Sequence, residues 1–259
     1  MFNLDRDRRG FTLIELLVVI VILSVLSVLV VPAYIGYVDK GKAAADQHTL
    51  GVLNEATRVY YTGEPNPNPF EQSGQTDDAL LQVLVDAGIL PEKPKAKLQG
   101  NVFVWYASDK SWRLAHELSA TEIIMGTGGF TGSITGSYTG TATELTIPKA
   151  IGGVTVTNVY QDAFRSKSLT ALIFPVDSAV TRIHARAFMN NGLTEVVFPS
   201  SLTRLDYGAF MDNDITKVTI GAGVTLEGNV FRSSDAFRDA YYALGAGTYV
   251  YSGGKWTKQ

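Results

Sequence analysis

One carboxylate sits where a carboxylate is expensive. From Phe11 to Ile35 the chain reads FTLIELLVVIVILSVLSVLVVPAYI, 25 residues in which Glu15 is the single acidic or basic side chain. On insertion scales such a group costs roughly 2.5–3.5 kcal/mol at the middle of a membrane helix, and less near its end. It calls for a partner, and none of the next twenty residues offers one. That points to another chain or to a new amino-terminus. Immediately upstream, Arg8-Arg9-Gly10 sets two cations and then a residue without a side chain at the edge of the apolar run. Arginines at that edge hold the start of a membrane segment on the cytoplasmic side and send the rest outward.

Elsewhere the residue types that do chemistry are scattered. His48, His116 and His184 fall in different regions without metal-ligand spacing. The Gly-rich text from Gly126 to Gly140 lacks the lysine of a phosphate loop and has no strand-then-helix setting. Asp77-Asp78 and Asp212-Asn213-Asp214 read as helix caps or solvated turns, since neither completes an oxygen cage for calcium. Cysteine is absent, which excludes disulfides, zinc fingers, iron–sulfur clusters and thiol catalysis. A net charge of −3 gives no electrostatic footprint for nucleic acid. No catalytic residue, metal or cofactor is expected, and the chain does not read as an enzyme.

These residues must be positioned by a helix. About 20 apolar residues cross a ~30 Å hydrocarbon core, so the run from Phe11 has transmembrane length. It is too long for a secretory signal and has no small-residue cleavage site at its end. After Pro32 the pattern turns amphipathic, with Tyr34, Val38, Ala45, Leu50, Leu53, Ala56, Val59 and Tyr60 at three- and four-residue steps. A single helix from Phe11 to about Tyr61 would be roughly 75 Å long. Its first half would face lipid or other subunits, and its second half a globular head.

The stretch Arg9-Gly10-Phe11-Thr12-Leu13-Ile14-Glu15 resembles the prepilin cleavage and methylation motif of type IV pilins and pseudopilins. The resemblance implies that a prepilin peptidase cuts after Gly10 and methylates Phe11 as the new amino-terminus. It implies that Glu15, fifth in the mature chain, pairs with the terminal amine of a neighbouring subunit. Pro32 matches a proline common in that helix, where it would kink the helix by removing a backbone donor.

The rest divides by composition. Pro65, Pro67 and Pro69 end the helix; Thr76 to Gly88 reads as a capped amphipathic helix. Val102–Ala107 and Trp112–Glu117 read as a β-hairpin, supplying a small sheet for the long helix. Gly126 to Thr143 is rich in Gly, Ser and Thr and reads as a lead-in strand with a short linker. Beyond it, Leu169-Thr170-Ala171-Leu172-Ile173-Phe174-Pro175 recurs at Leu193 and, in part, at Ile215. An Ala-Phe pair recurs at Ala163-Phe164, Ala187-Phe188 and Ala209-Phe210. Both markers step by 24 and then 22 residues, the sign of a solenoid whose coils bury apolar residues only against one another. Asn191 and Asn213 precede the strand element, where an Asn side chain can bond the backbone. The pattern resembles the leucine-rich repeats of the BspA-like class of bacterial surface proteins. From Ser233 an aromatic segment departs from it and should cap the stack.

The expected fold is therefore α+β: a long N-terminal transmembrane and filament-core helix with a small antiparallel-sheet head, then a β-rich leucine-rich-repeat solenoid. The expected divisions are a leader at 1–10, helix and head at 11–125, lead-in strand and linker at 126–143, and repeats with their cap at 144–259. Residues 11–125 carry 8 Lys and Arg against 13 Asp and Glu, whereas residues 126–259 carry 11 against 10. A nearly neutral repeat region suits a protein or glycan ligand better than a purely electrostatic partner. The function expected is that of a homo-oligomeric, extracellular type IV pilus subunit, held in the cytoplasmic membrane before the assembly machinery takes it, with repeats displayed for adhesion. The alternatives are a pseudopilin of secretion or DNA uptake, and a membrane-anchored adhesin that does not polymerise.

Overall fold

The computed structural model describes residues 12–63, 67–72, 75–106, 109–231 and 236–259, and the backbone alone of residues 26–30, 32 and 33. Helix α1 (Leu13–Thr62) is 50 residues long and runs through Pro32. Among the described residues no helix is long and apolar enough to cross a membrane. The expected membrane segment, Phe11 to Ile35, falls partly outside them: described apolar side chains run from Leu13 to Val25, short of the about 20 residues a span requires.

The second half of α1 is tied to a small head. Helix α2 (Asp77–Asp86) starts at Thr76, whose hydroxyl accepts a hydrogen bond from the Ala79 amide. Strands β1 (Asn101–Tyr106) and β2 (Ser111–Glu117) pair antiparallel, with Trp105 opposite Trp112. Leu53, Phe70, Leu80, Leu84, Phe103 and Trp112 form the apolar centre of the head. Two polar side chains of α1 hold it in place. Asn54 Oδ1 accepts from the Trp112 amide at 2.7 Å and Asn54 Nδ2 donates to the Trp112 carbonyl at 3.3 Å, so one amide side chain replaces a strand at the edge of β2. Asp46, fully buried, accepts from the Lys97 amide at 2.5 Å and the Leu98 amide at 3.0 Å.

The remaining strands are short: β3 (Ser133–Ile134), β4 (Glu144–Thr146), the β5 (Ala150–Ile151) and β6 (Val154–Thr155) hairpin, β7 (Asn158–Val159), β8 (Ala171–Ile173), β9 (Arg182–Ile183), β10 (Glu195–Val197), β11 (Arg204–Leu205), β12 (Lys217–Ile220) and β13 (Thr225–Leu226). They form a β-solenoid. One side is the all-parallel sheet β3-β7-β9-β11-β13. The other carries the parallel pairs β4-β8 and β10-β12. Between the two sides runs a stack of rings: Tyr138, Phe164, Phe188, Phe210 and Phe231 come one after another at centroid distances of 5.7, 5.0, 5.1 and 5.8 Å. Those distances are close to the ~4.8 Å between hydrogen-bonded strands, so the Ala-Phe pairs are core wedges set by the coil spacing.

Threonines of the repeat join one coil to the next. The hydroxyls of Thr157, Thr181 and Thr203 donate to the carbonyls of Gly132, Thr157 and Thr181 at 3.2, 3.1 and 2.9 Å. Asn191 and Asn213 do the same from inside the turns. Asn213 Oδ1 accepts from the Leu193 amide at 3.1 Å, and its Nδ2 donates to the Phe188 and Phe210 carbonyls at 2.9 and 3.0 Å.

Head and repeats share a sheet. Strand β2 pairs in parallel with β4, His116 opposite Leu145, giving the order β1-β2-β4-β8. Val104, Tyr106 and Ala115 of the hairpin cluster with Ile173 of β8, and Arg113 on β2 reaches Glu195 on β10 at 3.1 Å. The far end is closed by α3 (Ala236–Leu244), β14 (Gly247–Ser252) and β15 (Lys255–Lys258), with β14 pairing antiparallel to β12. Phe237 meets Phe231 at 4.7 Å, and the hydroxyls of Tyr241 and Tyr242 accept from the Val224 and Leu226 amides at the open edge of β13.

Asn213→Ala takes the side-chain partner from the Leu193 amide and the Phe210 carbonyl, while the Phe188 carbonyl still accepts from Asn191 Nδ2 at 2.9 Å. The expected loss is about 2–3 kcal/mol, seen as a lower urea midpoint in tryptophan fluorescence. Asn213→Asp keeps the acceptor but turns a carboxylate toward two carbonyls, so at neutral pH it should be no better than alanine.

Candidate functional site

Three features of the surface invite a partner. The first is the start of α1. Gly10 and Phe11 lie outside the described residues. Glu15 occupies the third helical position, where its Oε2 accepts from the Thr12 amide and the Thr12 hydroxyl, both at 2.8 Å. The Thr12 hydroxyl in turn accepts from the Glu15 amide at 3.3 Å, completing a capping box. Its signal, threonine and then glutamate three residues later, is local, and a reading of Glu15 for a distant partner misses it. A carboxylate accepts about four hydrogen bonds, so the cap leaves capacity for a cation. Pro32 is seventeen residues further along the helix, about 25 Å at 1.5 Å per residue, and the fold does not bring it to Glu15. Around and beyond Glu15, eleven apolar side chains from Leu13 to Val25 stand 44–87% exposed.

The second feature is the outward face of the β3-β7-β9-β11-β13 sheet. Asp206 accepts from Arg182 Nη2 at 2.7 Å and Arg204 Nε at 2.8 Å. Burial opposes its ionisation, but those two guanidinium groups hold it below the ordinary carboxylate range. His184 lies 3.5 Å from Asp206, and its ring meets that of Tyr160 at a tilt, centroids 4.5 Å apart. Burial, then the charge of Arg182, push its pKa down and favour the neutral ring. Arg186 makes a two-point contact with Asp162, both bonds 3.0 Å. The charges of this face are thus largely engaged with one another across successive coils.

The third is a cleft of about 450 Å³ between head and repeats, within the ~300–1,000 Å³ range of small-molecule sites. Phe70, Trp105 and Tyr106 line the head side; Phe174, Val197 and Phe198 line the repeat side. Its one charged lining residue among those described is Asp77, the first residue of α2. Asp77 Oδ1 accepts from the Trp105 amide at 2.7 Å. Burial pushes its carboxyl up to about 6; the Trp105 hydrogen bond works in the opposite direction and Asp177 adds to the rise.

By sequence Asp77 reads as a helix cap or a solvated turn residue. Among the described residues no group of three His, Asp or Glu could hold a metal ion. Its neighbour Asp78 pairs with Lys93 at 2.7 Å, and Asn213 belongs to the coil-to-coil bonds. Nor do the histidines converge: His48 is exposed on α1, His116 pairs with Glu122 at 2.8 Å, and His184 belongs to the sheet face. Local sequence marks Asp77 as a capping acid, but only the tertiary pairing of β2 with β4 sets it opposite Phe174 and Phe198.

Comparison with known families falls on the two ends of this architecture. The model of the prokaryotic N-terminal methylation motif matches residues 5–31. The model of the BspA type leucine rich repeat region matches residues 140–241, in 6 copies. No curated protein and no solved structure matches the chain. The chain thus carries a prokaryotic N-terminal methylation motif ahead of a BspA-type leucine-rich repeat region, and both point to a structural or binding protein rather than an enzyme.

Proposed function

We propose that the chain is a structural subunit of a type IV pilus-like surface filament whose repeats face outward and bind a protein or glycan. The observation that carries this is the register of the methylation motif against α1: Gly10 and Phe11 stand directly before a helix whose first turns expose apolar side chains on all sides. Burying a Leu, Ile or Val side chain is worth about 1.5–3 kcal/mol, so the eleven from Leu13 to Val25 represent on the order of 15–30 kcal/mol. That exceeds the ~5–15 kcal/mol net stability of a domain. Water is not a tolerable surrounding for this surface; a bilayer and then a bundle of identical helices are.

In this reading the precursor is anchored in the cytoplasmic membrane by the segment from Phe11 to Ile35, and a prepilin peptidase removes residues 1–10. The methylated Phe11 amine then meets Glu15 of a neighbour, whose carboxylate has acceptor capacity beyond the Thr12 cap. Pro32, lacking an amide hydrogen, eases the helix where the apolar half gives way to the head. Pseudopilin and anchored-adhesin readings share the processing step and differ in the fate of the cleaved chain.

Gly10→Val places a branched side chain at the cut, and the leader should stay attached. Mass spectrometry of membrane-extracted protein reads this directly: the unmutated chain should begin at a methylated Phe11, and an intact Met1 there would refute the assignment. Glu15→Val should still insert and be cleaved, because it removes a buried charge, while surface filaments fall at least tenfold in electron micrographs. An undiminished filament yield would show that the carboxylate has no assembly role. If no filaments contain the unmutated chain, although it is cleaved and exposed, the anchored-adhesin reading replaces the pilin one.

A further inference from the structure

We propose that the cleft between the head hairpin and the repeat sheet binds an apolar primary amine, its ammonium held by Asp77 and its stem by the aromatic and aliphatic walls. The inference concerns the head and repeats alone and holds whether or not the chain polymerises.

The argument begins with charge. Asp77 is the single charged side chain among the described lining residues, and no cation lines the cleft with it. Lys93 and Arg113, cations of neighbouring segments, are paired with other carboxylates: Lys93 with Asp78, and Arg113, which lies over the Tyr106 ring, with Asp109 and Glu195. Asp177 on the repeat side, itself paired with Lys149 at 3.4 Å, adds a smaller negative contribution at Asp77. An anion is therefore repelled, and among the described residues no cation is paired with the Asp77 carboxylate.

Hydrogen-bond capacity leads to the same ligand. Among the described residues the Asp77 carboxylate receives one hydrogen bond, from the Trp105 amide to Oδ1, out of about four it can accept. A buried charge is costly until it is paired and hydrogen-bonded. An ammonium supplies the missing charge and three donors at once. A neutral hydroxyl offers a single donor, and a guanidinium demands a planar fork that one half-used carboxylate serves poorly.

The walls decide the stem. Phe70, Leu80 and Tyr106 on one side and Phe174, Val197 and Phe198 on the other present apolar surface, which rewards a hydrocarbon or aryl stem at about 25 cal/mol per Å² buried. Aromatic neighbours also tolerate a cation better than aliphatic ones do. The same chemistry is offered by a free aryl-alkylamine and by a lysine side chain on an apolar peptide, and the cleft is wide enough for either.

The test is calorimetric titration of the full mature chain in a neutral detergent. The probes are 2-phenylethylamine, 2-phenylethanol, 3-phenylpropionate and an apolar hexapeptide with one central lysine and blocked ends. The amine should bind at least tenfold more tightly than the alcohol, and the carboxylate should not bind. Tighter binding of the peptide than of the free amine would identify a protein ligand; the reverse order would identify a small molecule. Because Asp77 loses its charge below about pH 6, and apparent affinity scales with the competent fraction, amine affinity should fall roughly tenfold between pH 7.5 and pH 5. Asp77→Asn, which can still accept from the Trp105 amide, should abolish both the amine preference and the pH dependence. Ser200→Lys, at an exposed position of the lining, should place a competing ammonium in the cleft and block the probe. Equal binding of amine and alcohol, undiminished amine binding by Asp77→Asn, or no heat from any probe at 10 mM would overturn the proposal.

Discussion

A coil of this solenoid has no interior of its own. Its phenylalanine, its inward strand residues and its turn amides are satisfied only by the coil before and the coil after. The 5 Å ring stack from Tyr138 to Phe231, the threonine hydroxyls bonded one coil back and the buried Asn213 amide are three expressions of that dependence. The two ends of the stack are therefore the vulnerable places, since each would present bare rings and unpaired strand edges to water. The architecture on either side of the repeats is best understood as the answer to that exposure.

At the far end the answer is conventional: a short helix and a hairpin lay Phe237, Tyr241, Tyr249 and Trp256 over the last coil. Two tyrosine hydroxyls take the amides that a next strand would have taken. At the near end the head itself does the covering. Strand β2 continues the β4-β8 sheet, Val104, Tyr106 and Ala115 bury Ile173, and Arg113 crosses to Glu195. The hairpin thus has two faces with two tasks: Phe103 and Trp112 look toward α1, Val104 and Ala115 toward the repeats. The alternation of a strand makes this division available at no extra length.

Legible in the sequence is whatever local spacing encodes. The apolar run after Gly10, the 24- and 22-residue steps, the Thr76 cap and the hairpin around Asp109 each depend on residues close together in the chain. Features that escape such reading depend on contacts between distant segments. Ile173 looks like an outward strand position by alternation, since Leu172 and Phe174 point inward; it is buried because a hairpin far upstream covers it. Asp77 looks like a helix cap, but Thr76 is the cap; Asp77 is the first helical residue, its carboxylate is taken by the Trp105 amide, and its environment is completed by β8 and β10. Thr12 and Glu15 are the opposite case, a local signature obscured because a carboxylate in an apolar run points first to other chains.

The sheet shared by head and repeats has a mechanical consequence for display. A repeat region hung on a flexible Gly- and Ser-rich tether would sample many orientations, and a ligand would have to restrict them on binding, at an entropic cost. Here the described residues leave no such freedom at the junction: the β2–β4 ladder, the Ile173 cluster and the Arg113–Glu195 pair fix the first coils against the hairpin, and Asn54 and Asp46 fix the head against α1. The orientation of the repeats relative to the helix is therefore set within the subunit, before any partner is met. If such helices are packed side by side, every copy presents the same face of its repeats in the same direction. A ligand with several epitopes then meets a regular array whose spacing is inherited from the helix packing, and weak individual contacts add as effective concentration. The junction also makes the cleft possible, because only a head held rigidly against the repeats can keep Asp77 and the aromatic pair Phe174 and Phe198 on opposite walls of one cavity.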